Sequence, residues 1–224
     1  MDLNADFAQR AAVHASTLPW TPSPIPGVER RMLDRIGGEV ARATTIVRYA
    51  PASTFSPHTH GGGEEFLILD GVFQDEHGDY PTGSYVRNPP TTSHTPRSGV
   101  GCTLLVKLWQ FDPSDRTRVK IATRDAPFAP MDARAGVTHL PLFEDAHETV
   151  RIERWAPAAL VVLDLPAGGE FFVLDGGFHD GIEAFAPQSW LRLPAASTLT
   201  ATAGPNGCSL WVKTGHLGQA SIAV

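Results

Sequence analysis

A chain of 224 residues is long enough for one large domain or two small ones, each with its own core. Charged residues make up 19% of it and the net charge is −6, which argues against a partner bound through nucleic-acid phosphates. Two cysteines, Cys102 and Cys208, are too few for a disulfide scaffold or a thiolate zinc cluster, and both sit in apolar, strand-like runs.

The opening residues, Met1-Asp2-Leu3-Asn4-Ala5-Asp6, have neither the basic start nor the apolar run of a signal peptide. The longest uncharged stretch, 193–212, contains Pro194, Gly204, Pro205 and Gly207, so it does not read as a membrane helix. The expectation is a soluble, cytoplasmic protein with no membrane and no direct nucleic-acid partner. Asp6 to Ser16 is the one stretch compatible with a short helix, with Asp6 as N-cap. Residues 1–27, with Pro19, Pro22, Pro24 and Pro26, read as an extended arm lying on a neighbour, and such an arm could cross to a second subunit.

From residue 28 onward the chain reads as β structure. Ala43 to Tyr49, Phe66 to Leu69, Ser84 to Arg87 and Thr103 to Trp109 are short, β-branched or aromatic runs between Gly, Pro and Asp punctuation. Within this region stands Pro57-His58-Thr59-His60-Gly61-Gly62-Gly63-Glu64. On a strand, residues two apart share a face, so His58 and His60 can aim both imidazoles at one point. The three glycines let the backbone bend and return Glu64 toward that point. His94 follows thirty residues after Glu64. Three imidazoles and a carboxylate form a borderline nitrogen/oxygen donor set that suits one divalent Zn, Fe, Mn, Ni or Cu ion better than Ca or Mg.

Neighbouring charges read differently. Asp75-Glu76-His77-Gly78-Asp79 is expected to be a solvated hairpin tip. Glu65, Arg48, Arg87 and Lys107 are assigned to barrel architecture, because acidic or basic partners recur later in the chain at matching places.

The recurrence is a duplication. Gly63-Glu64-Glu65-Phe66-Leu67-Ile68-Leu69-Asp70-Gly71 reappears 105 residues later as Gly168-Gly169-Glu170-Phe171-Phe172-Val173-Leu174-Asp175-Gly176. Tyr85-Val86-Arg87 matches Trp190-Leu191-Arg192 at the same spacing, and Gly101-Cys102 matches Gly207-Cys208 one residue further on. Many short strands in two copies favour two barrels, with a metal-binding copy at 28–125 and a second at 126–224. In the second copy His58 falls on Leu163, His60 on Leu165, Glu64 on Gly169 and His94 on Leu199. Four independent surface positions would not turn apolar as a set, whereas four groups converging inside a barrel would. The second interior is therefore expected to be packed with leucine and to hold no metal.

At this point the motifs resemble a known superfamily. His58-x-His60-x3-Glu64-x6-Gly71, followed by Pro81-x-Gly83, Pro89 and His94, is similar to the two cupin motifs, and more narrowly to ChrR-like cupin domains. The resemblance implies an all-β fold of two tandem cupin jelly-roll barrels, the first binding metal through His58, His60, Glu64 and His94 and the second degenerate. It also implies a homodimer, since cupin barrel edges often pair between subunits. The sigma-binding part of ChrR is an N-terminal zinc domain with a His…Cys-x-x-Cys cluster. Here the first 40 residues hold no cysteine and one histidine, His14, so anti-sigma activity is not carried over.

Two functions follow from the resemblance. The first is a metal-dependent oxygenase-type enzyme acting on a small chelating substrate such as a β-dicarbonyl, the metal centre itself being the catalytic element. Phe66, Ile68, Tyr85, Leu104 and Trp109 are its candidate pocket walls, with core packing as their alternative role. The second is a ChrR-like regulatory or stress-sensing protein whose metal is structural or redox-responsive, with a sigma factor as partner. A bicupin for storage without chemistry leaves the retained ligand set unexplained.

Overall fold

A computed structural model describes residues 1–38 and 40–219, which form two compact units. Of the described residues, the first comprises 1–5 and 18–125 and the second comprises 6–17 and 126–219. Among the described residues both are built from short antiparallel strands, and no helix is long and apolar enough to cross a membrane.

In the first unit a ten-stranded sheet runs in the order Val119–Ala122, Ser84–Asn88, Glu64–Asp75, Cys102–Leu108, Ala41–Tyr49, Val28–Gly37 and Thr21–Pro22, with three shorter strands attached beside this path. Both faces of the central strand are covered from Glu64 to Ile68. Phe66 and Ile68 pack with Phe73, Tyr80, Leu104 and Val106 in one core. A separate two-stranded ladder sets His94 opposite His58 and Ser93 opposite Thr59.

The second unit repeats this plan. Its nine-stranded sheet centres on Gly169–His179 and Ser197–Thr214, and Leu160–Leu165 folds onto the latter. That pairing sets Leu163 opposite Leu199, the rung that His58 and His94 occupy in the first unit. Leu165 and Leu199 are buried with Phe171, Val173 and Leu210, and Leu163 packs against the same cluster. The antiparallel jelly-roll architecture and the apolar second interior are both as the sequence implies.

The persistent charges hold the frame. Buried Lys107 donates to Thr44 Oγ1 at 2.9 Å, while buried Lys213 pairs with Glu148 at 2.8 Å. Arg87 lies 3.2 Å from Asp115 and stacks on Phe111; Arg192 stacks on Phe7. The Tyr85 hydroxyl donates to Glu65 at 2.6 Å, and the Trp190 indole N–H donates to Glu170 at 3.0 Å.

Two local expectations are corrected. Asp6 to Ser16 is not the expected helix: Asp6 Oδ1 accepts the Ala8 N–H in a tight turn, Ala11–His14 is a strand paired with Ser189–Leu193, and only Ala15–Thr17 forms a single 3-10 turn. A short isolated helix is marginal, and a sheet edge offers this segment backbone partners that a lone helix does not need. The second correction is one of length: the run expected at Phe66 to Leu69 is part of a strand spanning Glu64–Asp75. The central strand continues through Gly71 to Asp75 by way of an irregularity in register with Cys102–Leu108. Gly71 has φ +75°, and a Cβ there would lie 2.1 Å from the Gly101 carbonyl oxygen; at Gly176 the values are +68° and 2.2 Å from the Gly207 oxygen.

Gly71→Ala is therefore expected to destabilise the first unit by at least about 1–3 kcal/mol from the backbone conformation alone, with the carbonyl clash added. Urea unfolding checks this; a variant with an unchanged midpoint would show that the close approach is not a constraint.

Candidate metal centre

Backbone pairing brings the four expected residues to one place. The His58–His94 rung fixes two of them. Next to it, the His60 N–H donates to the Thr92 carbonyl at 2.8 Å and the Thr91 N–H donates to the His60 carbonyl at 3.0 Å, so the two segments are zipped together. Glu64 begins the central strand.

The three glycines in between serve two purposes. Gly63 alone takes a left-handed φ, +77°, and makes the bend. Gly61 and Gly62 are required by Trp109, whose indole lies on them: added Cβ atoms would fall 2.9 and 2.4 Å from its ring. The Trp109 N–H donates to the Gly63 carbonyl at 3.1 Å, and Trp109 itself has φ +59°, uncommon for a bulky side chain. Thus the loop is held by an aromatic lid as well as bent by its sequence.

His58, His60, Glu64 and His94 each offer one donor atom, all within 4.8 Å of one another. His60 Nε2 lies 3.2 Å from His94 Nε2 and 3.3 Å from Glu64 Oε2; His94 Nε2 lies 3.6 Å from the same oxygen. His58 is exposed and the other three are buried. Among the described residues the second unit has no comparable group.

The electrostatics follow from burial. It pushes the His60 pKa down to about 3, with the charges of His94, His58 and Arg118 acting in the same direction. Burial also lowers His94, with His58 adding and the hydrogen bond to Asp75 opposing. It pushes the Glu64 carboxyl up to about 7. The imidazoles of His60 and His94 are accordingly neutral at neutral pH, as metal ligands must be.

Outer partners orient the rings. Thr92 Oγ1 donates its single proton to the Pro89 carbonyl at 2.7 Å, so toward His60 Nδ1, 2.9 Å away, it must accept. His60 therefore carries its proton on Nδ1 and presents a bare Nε2 lone pair to His94 and Glu64. Asn88 Nδ2 donates to Glu64 Oε2 at 3.3 Å. Converging lone pairs of this kind fit a cation, and the donor set can hold one metal ion.

Asp75 is the residue the sequence reading misplaced. The hairpin tip is at Glu76 and His77, both exposed, but the Asp75 side chain turns inward, is 3% exposed, and meets His94 Nδ1 at 3.2 Å. Period-two alternation along the central strand was the available signal, since Asp75 shares a face with Phe73.

A cavity of about 530 Å³ opens beside the cluster. Of the five candidate wall residues, Leu104 and Trp109 line it. Phe66 and Ile68 are in the core beneath, each 1% exposed, and fully buried Tyr85 is hydrogen-bonded to Glu65. Val28, Val47, Tyr49, Phe55 and Val106 contribute to the apolar wall, and among the described residues no lysine or arginine lines it. The Tyr49 hydroxyl, withdrawn from water and repelled by the Glu64 charge, is pushed above its ordinary range and stays protonated.

Because Glu64 must lose its proton to coordinate, metal affinity of the metal-free protein should rise at least about tenfold per pH unit toward pH 7 and then level off. Competition with a chromophoric chelator across this range measures it; a flat profile would remove Glu64 from the ligand set.

No curated protein matches the chain in sequence. Residues 8–112 match the family described as the ChrR Cupin-like domain. Among solved structures, a candidate dioxygenase from Nostoc punctiforme is similar at 15% identity and TM-score 0.77, over 97% of this chain and 86% of that one. A cupin 2 conserved barrel domain protein from Leptotrichia buccalis is similar at 9% identity and TM-score 0.62, over 95% and 98%. The pirin YhhW of Escherichia coli, in complex with nickel(II), is similar at 12% identity and TM-score 0.63, over 92% and 99%. Residues 8–112 thus match a cupin family model, and with solved structures similar along almost the whole length the chain has the cupin fold.

Proposed function

We propose that the first unit is a metal-dependent, oxygenase-type enzyme for a small apolar chelating substrate such as a β-dicarbonyl compound. His58, His60, Glu64 and His94 would hold one divalent first-row metal, with zinc, iron, manganese and nickel all compatible with the donors. When bound, such an ion supplies Lewis acidity to chelating oxygens and, as iron(II), reactivity toward O₂.

The observation that carries the reading is the cavity beside the cluster, mostly apolar and, among the described residues, without a lysine or arginine in its wall. Val47, Phe55, Leu104 and Trp109 exclude water and favour hydrocarbon substituents. A second carboxylate on the substrate would be buried there without a counter-charge, which is costly. Arg118, whose charge reaches His60, is not part of the lining. The protonated Tyr49 hydroxyl is a donor available to a substrate oxygen.

A second reading is favoured by the match of residues 8–112 to the ChrR Cupin-like domain: a regulatory protein whose metal is structural or redox-responsive. The two separate in one experiment. Elemental analysis of the isolated protein should give about one transition metal per chain, and His60→Ala should lose it while the second unit stays folded. Oxygen uptake is then measured against β-diketones and their carboxylate-bearing analogues. Uptake with the neutral compounds supports the enzyme; a metal-loaded protein inert to the whole panel favours the regulatory reading; a metal-free protein that takes up no added ion defeats both.

A further inference from the structure

The duplication supplies an internal comparison for Asp75. Its counterpart 105 residues on is Asp180, and both cap a hairpin turn through Oδ1: Asp75 accepts the His77 N–H at 2.7 Å, and Asp180 accepts the Ile182 and Glu183 N–H groups at 3.0 and 2.9 Å. A carboxylate at this position is thus explained in both units by the turn. The second oxygen differs. In the second unit Oδ2 takes a hydrogen bond from Arg10 at 2.8 Å, whereas in the first it lies 3.2 Å from His94 Nδ1. Tyr80 adds its hydroxyl to Asp75 Oδ1 at 3.2 Å, and Asp75 is 3% exposed, so both oxygens are fixed in place.

We propose that Asp75 is a positioning residue of the metal centre: its Oδ2 accepts the Nδ1 proton of His94 and so leaves the His94 Nε2 lone pair bare, facing His60 and Glu64. This rests on the metal reading above. An ionised carboxylate can only accept, so the ring must turn an N–H toward it, and the imidazole then has its other nitrogen free for an ion. His60 reaches the same tautomer through the neutral hydroxyl of Thr92. Two bare nitrogens 3.2 Å apart then face each other in the metal-free protein, an arrangement that a cation relieves.

The turn makes the test sharp. In Asp75→Asn the His77 N–H still requires an oxygen at the Oδ1 position, so the amide must direct its NH₂ group at His94. The ring then accepts at Nδ1 and carries its proton on Nε2, where it blocks the ion. Two measurements follow: ring-nitrogen NMR of the histidines in metal-free protein, and zinc affinity by chelator competition. The expected results are an Nδ1–H tautomer for His94 in the wild type, an Nε2–H tautomer in Asp75→Asn, and zinc affinity weakened about 10- to 100-fold. Asp180→Asn should leave zinc affinity unchanged. An Nε2–H tautomer in the wild type overturns the inference, and that readout stands even if Asp75→Asn fails to fold. So does a folded Asp75→Asn with unchanged tautomer, whatever its affinity. A wild type with the expected tautomer that binds no zinc, iron, manganese or nickel overturns the metal reading itself and leaves the hydrogen bond intact.

Discussion

The first unit is organised around a crowding of electron-rich atoms. Two imidazole nitrogens and a carboxylate oxygen approach within 3.2 to 3.6 Å of one another in a buried setting, and a third imidazole joins them from the exposed side. Without positive charge among them this grouping is unfavourable, because burial strips away the water that would otherwise separate the lone pairs. The upward displacement of the Glu64 carboxyl expresses the same strain: a proton is the cheapest cation at hand. What the barrel provides is the rigidity to hold the grouping despite its cost.

That rigidity comes from neutral parts. The rung between His58 and His94 is a backbone pairing that works equally well with Leu163 and Leu199. Trp109 presses on a loop that has no side chains to resist it, and Phe111 crowds Gly63 in the same way. The ligand loop is therefore shaped by packing against aromatic rings, and its glycines record the space those rings occupy. Thr92 and Asn88 then set the direction of individual atoms.

Much of this was legible in the residues. The duplication exposed both barrels, and the simultaneous loss of four polar positions in the second copy singled out His58, His60, Glu64 and His94. Such a comparison works because it asks which residues vary together on one scaffold. It fails for residues that both copies keep. Asp75 and Asp180 are both aspartate for the sake of a turn, so the extra bond to His94 leaves no trace in the sequence. The pocket wall was hidden for another reason. Phe66, Ile68 and Tyr85 have the composition of a wall, but alternation and register place them in the core or against Glu65, while Val47 reaches the cavity from Ala41–Tyr49 and Phe55 from the loop after Ser53–Thr54. The helix expected at Asp6 to Ser16 gave way to a sheet edge supplied by residues far along the chain, which local propensity does not register.

The Leu163–Leu199 rung has a consequence for how the chain endures metal scarcity. A leucine pair closes its barrel with hydrocarbon contacts that no chelator can extract, so this rung needs no ion to form. Were the proposed metal withheld, its loss would fall on the ligand side chains of the first unit, while the rung between Leu163 and Leu199 stayed closed.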